Sequence, residues 1–148
     1  MTCASEIEIH YKPQLHKLEA PKIISYKQTE EFLRKIWADD IEYRERFYAL
    51  FLNRNNRILG YTLISMGGVA GTVADMKMIF QPALLMHSSC IILAHNHPSG
   101  NTNPSEMDIR LTKKAIQAGE ILEIKVLDHI ILTSSECFSF CNEQTVNF

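Results

Sequence analysis

From Ser89 to Ala94 the chain runs almost without a polar side chain, and it then enters His95-Asn96-His97-Pro98-Ser99-Gly100. A short, uninterrupted apolar run of this kind reads as a strand buried on both faces. Such a strand needs a sheet with helices packed around it, and the flanking sequence supplies them. Ser25-x-x-Gln28 has the form of a capping box ahead of Phe32, Leu33, Ile36 and Trp37, which predicts a first helix over about residues 26–38. Phe47 to Leu52 and Ile58 to Met66 are rich in β-branched and aromatic residues, and Asn53-Arg54-Asn55-Asn56 between them makes the pair a hairpin. Gly67, Gly68 and Gly71 mark a flexible or closely packed passage, after which Met76 to His87 resumes helical spacing through Ile79, Phe80, Ala83 and Leu84. A third helix and a final strand pair complete the chain. The expected class is therefore α+β (mixed α/β), a mixed β-sheet flanked by helices.

At 148 residues with 46% hydrophobic side chains, the chain can bury one core without a disulfide or structural metal. Residues 25–148 are expected to form that domain, and the more polar residues 1–24 an N-terminal extension. Within the extension Ile7, Ile9 and Tyr11 alternate, which suggests a short strand packed on the domain or used to form a homo-oligomer. A net charge of −2 without a long basic stripe argues against direct nucleic-acid binding. No apolar run approaches the ~20 residues of a membrane span, and the first residues lack a signal-peptide pattern, so a cytoplasmic location is expected. Cys3, Cys90, Cys137 and Cys141 are then expected as reduced, packing thiols. Cys137 and Cys141 have no second Cys or His pair nearby to complete a metal site.

The segment His95 to Asp108 carries the chemistry. At a strand end, residues two apart project to the same side, so His95 and His97 can present two imidazole nitrogens to one ion. Asn103, Pro104 and Glu106 read as cap, first helical residue and capping partner of the third helix. Ser105 and Asp108 then lie three apart on one face of it. Pro98 and Gly100 lie in the connecting loop, which is long enough to fold the helix start over the strand end. Two imidazoles and one carboxylate with a fourth position open is how catalytic zinc is held, lowering the pKa of its water to about 7. A plainer reading has the histidines bonding locally and Ser105 and Asp108 as ordinary first-turn residues. The loop, the cap and the Ser-x-x-Asp spacing together favour metal.

His-x-His, seven residues, then Ser-x-x-Asp resembles the JAMM motif of JAB/MPN metalloproteases, and His-Asn-His-Pro-Ser-Gly resembles the RadC branch of that superfamily. The likeness covers about residues 25 to 141, including Leu127-Asp128-His129. It implies a JAB/MPN (cytidine deaminase-like) fold and a zinc metallopeptidase-type hydrolase. It also implies one Zn²⁺ per chain on His95, His97 and Asp108, Ser105 beside the reacting oxygen, and a glutamate near the start of a hairpin strand, as Glu45 is here. Longer RadC proteins carry a helix-hairpin-helix segment for which residues 1 to 24 leave no room, so a role in DNA repair is not expected to follow from the resemblance. Where many members read Pro-Arg-Glu before the second helix, this chain has Asp75-Met76-Lys77.

One carboxylate can take a proton from water and return it to a leaving amine, which is the task expected of Glu45. Glu42 is the competing candidate; Glu106 is better used at the cap. Ser105 could donate to an oxyanion or bond a helix N–H. His10, His16 and His87 are not expected to be ligands, and His129, among Ile130, Ile131 and Leu132, is expected to be structural rather than a group behind the zinc. A peptide or protein is the expected substrate. A metal enzyme acting on nucleic acid would need a basic groove, whereas Arg44, Arg46, Arg54, Arg57, Lys113 and Lys114 are scattered. A non-catalytic binding module is disfavoured because every motif residue is present.

Overall fold

A computed structural model describes residues 4–13, 19–67 and 74–148. The elements run α1 (Tyr26–Trp37), β1 (Arg46–Leu52), β2 (Ile58–Met66), α2 (Met76–Leu85), β3 (Cys90–Asn96), α3 (Glu106–Leu122), β4 (Lys125–Leu132) and β5 (Cys137–Ser139). They form a five-stranded mixed sheet in the order β2-β1-β3-β4-β5. Only the β3–β4 pair is parallel; α3 makes the crossover between them.

Residues 90–94 of the apolar run lie in the middle strand, β3, which is buried on both faces as its composition requires. Ile92 and Ala94 face α1, where they meet Leu33, Trp37, Leu50, Leu52, Ile130 and Leu132. Ile91 and Leu93 face the other way, toward Ile79, Phe80 and Ala83 of α2 and Ala115 of α3. One helix on one face and two on the other complete the expected α+β layering. Gly119 lets the end of α3 press against the start of β4: a Cβ there would stand 2.3 Å from the Ile124 carbonyl oxygen. No larger residue fits without moving the helix.

A single irregularity in β4 decides which residues reach the site. The β3–β4 register steps from Ile91 opposite Val126 to Ile92 opposite Asp128, so Leu127 is an extra residue. A bulge of this kind exchanges the faces of everything beyond it. Ile130 and Leu132 therefore pack with α1, while Ile131 packs with Ile109 and Ile116 of α3. His129, alternating with Ile130, shares the α3 face.

Several expectations change. Residues 4–13 form no strand, and Ile7 and Ile9 are exposed. Alternation alone does not make a strand without an edge to pair with; Tyr11 meets the domain through its hydroxyl, which donates to the Leu59 carbonyl at 3.3 Å, and lines a cavity with Phe32, Ile58 and Met86. The α3 cap is Ser105, not Asn103: Ser105 Oγ accepts from Asp108 N–H while Asp108 accepts from Ser105 N–H, so Asp108 and not Glu106 closes the capping box. α2 ends at Leu85, which leaves His87 beyond the helix at a positive φ of 51°. Gly68 and Gly71, with His16 and Cys3, lie outside the described residues. Among the described residues no helix is long and apolar enough to cross a membrane.

Candidate metal centre

The open end of β3 and the first turn of α3 meet where the sequence places them, and His95, His97 and Asp108 form one potential metal-holding group. His95 Nε2 lies 2.9 Å from His97 Nε2 and 3.2 Å from Asp108 Oδ1, and His97 Nε2 lies 3.6 Å from Asp108 Oδ2. A tetrahedral ion with arms of about 2.0–2.1 Å has donor–donor edges of about 3.3–3.4 Å. The first two separations lie near that value, the His97 contact runs to the other carboxylate oxygen, and one ligand atom from each residue lies within 4.8 Å of the others, a grouping that could hold a small divalent ion.

Each donor is held by a second contact that leaves the correct atom free. Asp108 Oδ2 accepts from the Ser105 N–H at 2.7 Å, which fixes the carboxylate with Oδ1 toward His95. A carbonyl only accepts, so the 2.6 Å contact between His97 Nδ1 and the Asn101 oxygen places a hydrogen on Nδ1, and the neutral ring then has its lone pair on Nε2. Gly100, at a φ of 85°, makes the turn that brings this carbonyl round. His95 is 1% exposed and stacks on Phe47, with ring centroids 5.8 Å apart. Its Nδ1 lies 2.8 Å from His129 Nε2, so His129 touches a candidate ligand directly instead of serving the core alone.

The electrostatics agree with this geometry. Burial alone would raise the Asp108 carboxyl, but hydrogen bonds and charge from His95 and His97 and the Ser105 bond outweigh it and hold the group far below the usual carboxylate range. Burial alone would lower His97, but its bonds to Asp108 and Asn101 and the negative charges of Asp108 and Glu45 raise it. Surroundings that favour a proton on His97 in this way also favour a metal cation in its place. His129, fully enclosed, is pushed well below an ordinary imidazole by burial and then by His95, and stays neutral.

Asn96, between the two histidines, points to the opposite face and is fully buried. Its amide donates to the Ile41 and Arg44 carbonyls at 2.7 and 3.0 Å, and its oxygen accepts from Arg46 N–H at 2.8 Å. It thereby staples the turn before β1 to β3, the strand that carries His95 and His97. The turn ends at Glu45. With Phe47 opposite His95 in register, alternation carries Glu45 to the level and face of His97. Glu42 instead lines a separate surface depression with Arg34, Asp39 and Ser134.

Of the remaining candidates, only Ser105 adjoins the site. Ser105 Oγ accepts from Asp108 N–H at 3.1 Å, and its own hydroxyl hydrogen can still donate. His10 pairs with Glu8 on the surface. Burial, with the neighbouring Glu30 carboxylate, pushes the Cys137 thiol up to about 12, which disfavours a thiolate ligand, and Cys90, Cys137 and Cys141 are free. Sequence reasoning passed over Asn96 and Thr112. The available signal was that each is a polar residue in an otherwise apolar stripe.

A mixed sheet whose central strand ends in two imidazole donors, answered by a carboxylate on the next helix, defines a candidate site for a metal ion. The chain belongs to the RadC-like JAB domain family, whose model matches residues 23–146. It is 46% identical over 99 residues to the UPF0758 protein of Flavobacterium johnsoniae, covering 67% of this chain and 43% of that protein. The UPF0758 protein of Finegoldia magna is 40% identical over 111 residues, 75% of this chain and 48% of the relative. That of Chlorobaculum parvum is 33% identical over 140 residues, 95% of this chain and 62% of the relative. The chain thus spans less than two-thirds of the length of these relatives.

Proposed function

We propose that the chain is a zinc-dependent hydrolase of peptide or isopeptide bonds, with a peptide or protein as its substrate. The observation that carries this reading is the grouping of His95, His97 and Asp108 at the β3–α3 junction, with the two Nε2 atoms 2.9 Å apart and the Asp108 carboxylate facing both. Two imidazoles and a carboxylate suit zinc better than magnesium or calcium, which prefer all-oxygen sites. When bound, zinc supplies a Lewis acid that polarises a carbonyl and makes water acidic enough to lose a proton near neutral pH.

The chain's own residues would do the rest. Glu45, beside His97, accepts the proton that the attacking water gives up and delivers it to the departing amine nitrogen. Asn96 holds the turn from which Glu45 projects, so the carboxylate is positioned before substrate arrives. Ser105 keeps Asp108 in place through the cap and has a hydroxyl hydrogen available for the oxygen on which charge develops.

The test is hydrolysis of peptide and isopeptide-linked substrates by zinc-loaded protein and by Glu45→Gln. This variant keeps the shape but cannot take the proton, so zinc should stay bound while kcat/KM falls about 10² to 10⁴-fold. Glu42→Gln should be nearly unchanged. Loss of activity in Glu42→Gln with Glu45→Gln still active would move the base to Glu42.

A further inference from the structure

We infer that Thr112 and His129 are positioning residues that fix His95 with its hydrogen on Nδ1 and its Nε2 lone pair toward the metal point. They do so through a directed chain of hydrogen bonds that starts at the main-chain carbonyl of Asp108. The inference rests on the metal reading above and adds how the buried ligand is kept in its binding form.

The direction follows from counting hydrogens. Thr112 Oγ1 lies 2.7 Å from the Asp108 carbonyl oxygen, one helical turn back, and a carbonyl only accepts. The single hydroxyl hydrogen of Thr112 is therefore committed to α3, and toward its other neighbour Oγ1 can only accept. That neighbour is His129 Nδ1 at 2.6 Å, so Nδ1 carries the hydrogen. A neutral imidazole protonated on Nδ1 has its lone pair on Nε2, which lies 2.8 Å from His95 Nδ1. His95 Nδ1 must donate there, and the neutral His95 ring then has its lone pair on Nε2, the atom that meets His97 Nε2 at 2.9 Å and Asp108 Oδ1 at 3.2 Å. The reverse direction would set two oxygen lone pairs against each other 2.7 Å apart between Thr112 and Asp108. It would also place a hydrogen on His95 Nε2, the atom needed as a ligand.

The surroundings prevent the chain from turning round. Thr112 and His129 are both 0% exposed, so solvent has no access from which to offer an alternative partner. The His129 ring lies against Phe140 at 4.7 Å, nearly parallel, and edge-on to Phe47 at 5.5 Å. The bulge at Leu127 is what turns His129 to this face. Helix α3 thus supplies the site twice: the Asp108 carboxylate directly, and the tautomer of His95 through the Asp108 carbonyl and Thr112.

Thr112→Val removes the hydroxyl at nearly constant shape, and Thr112→Ser restores it. Zinc affinity is read by competition with a chelator, using zinc alone as ligand and circular dichroism to check folding. Thr112→Val should bind zinc about 10 to 100-fold more weakly than the original protein, the usual effect of losing a group that orients a ligand, and Thr112→Ser should recover most of the loss. Ring-nitrogen NMR of the zinc-free protein reads the tautomer itself: His129 should carry its hydrogen on Nδ1 in the original chain and move it to Nε2 in Thr112→Val. A purely structural Thr112 would lower stability without moving that hydrogen. Tight zinc binding by the original chain with equal affinity in Thr112→Val, or His129 found with its hydrogen on Nε2 in the original chain, overturns the relay and leaves the metal site standing. Failure of the original chain to bind zinc overturns both. The NMR reading on the original chain alone decides the case if Thr112→Val does not fold.

Discussion

The two histidines that flank Asn96 face the same point but belong to different parts of the molecule. His95 is sealed inside, 1% exposed, between Phe47 and His129, and its orientation depends on residues from β4 and α3. The His97 side chain is 16% exposed at the rim, and a single carbonyl of its own loop orients it. The difference teaches that one metal site can join a part built with the core to a part built by a surface turn. The first is bound up with folding; the second can be changed without it.

Removing each ring separates the two parts most sharply. His95→Ala should lose zinc and also destabilise the zinc-free protein by about 2–4 kcal/mol, because it leaves a buried gap beside Phe47 and strips His129 of its partner. His97→Ala should lose zinc while the zinc-free protein changes by less than about 1 kcal/mol, since the rim residue packs little. Urea titration of the zinc-free proteins measures both. Equal stability losses in the two variants would erase the distinction.

Asn96 tests the join between β3 and the Glu45 turn. Asn96→Ala leaves the Ile41 and Arg44 carbonyls and the Arg46 N–H without their partner, at a cost of about 1–3 kcal/mol. Zinc should remain bound while hydrolysis falls, because the residue lies on the face opposite the donors. Loss of zinc together with activity would mean that Asn96 supports the donors themselves.

The smallest effect is in the pH dependence of the zinc-free protein. His97 is raised when folded, so its contribution is fully present below the unfolded value of about 6.5 and is lost as pH rises through the higher folded value. Asp108 is depressed, so its contribution is present above about 3.9 and is lost only as pH falls through its much lower folded value. Thermal melts of the zinc-free protein should therefore show the His97 increment at pH 6 and its loss above the raised His97 value, and His97→Ala should abolish that trend. Zinc affinity should rise over the same interval, as the competing proton leaves. A trend unchanged in His97→Ala would assign it to another group.

Much of this was legible in the chain because it depends on local spacing: the apolar run that became β3, the hairpin, the helices, and the two histidines two residues apart at a strand end. The α3 cap was not. Asn103-x-x-Glu106 and Ser105-x-x-Asp108 both have capping form, and Pro104 favours the first. The second prevails here, and in it the capping bond that Ser105 N–H makes to Asp108 Oδ2 also holds that carboxylate beside the histidines. The part played by His129 was hidden for a different reason. Which face it occupies depends on one extra residue at Leu127, and register is a property of two strands together, not of one segment. The alternation of Ile7, Ile9 and Tyr11 misled for the same reason, since a strand needs a partner edge.

The central claim is that His95, His97 and Asp108 hold one divalent ion between them. Titration of metal-stripped protein with zinc, followed by elemental analysis after removal of free metal, tests it directly. Close to one zinc per chain is expected, and close to none in His97→Ala at unchanged circular dichroism. Retention of a full equivalent of zinc by that variant, or none by the original chain, would contradict it.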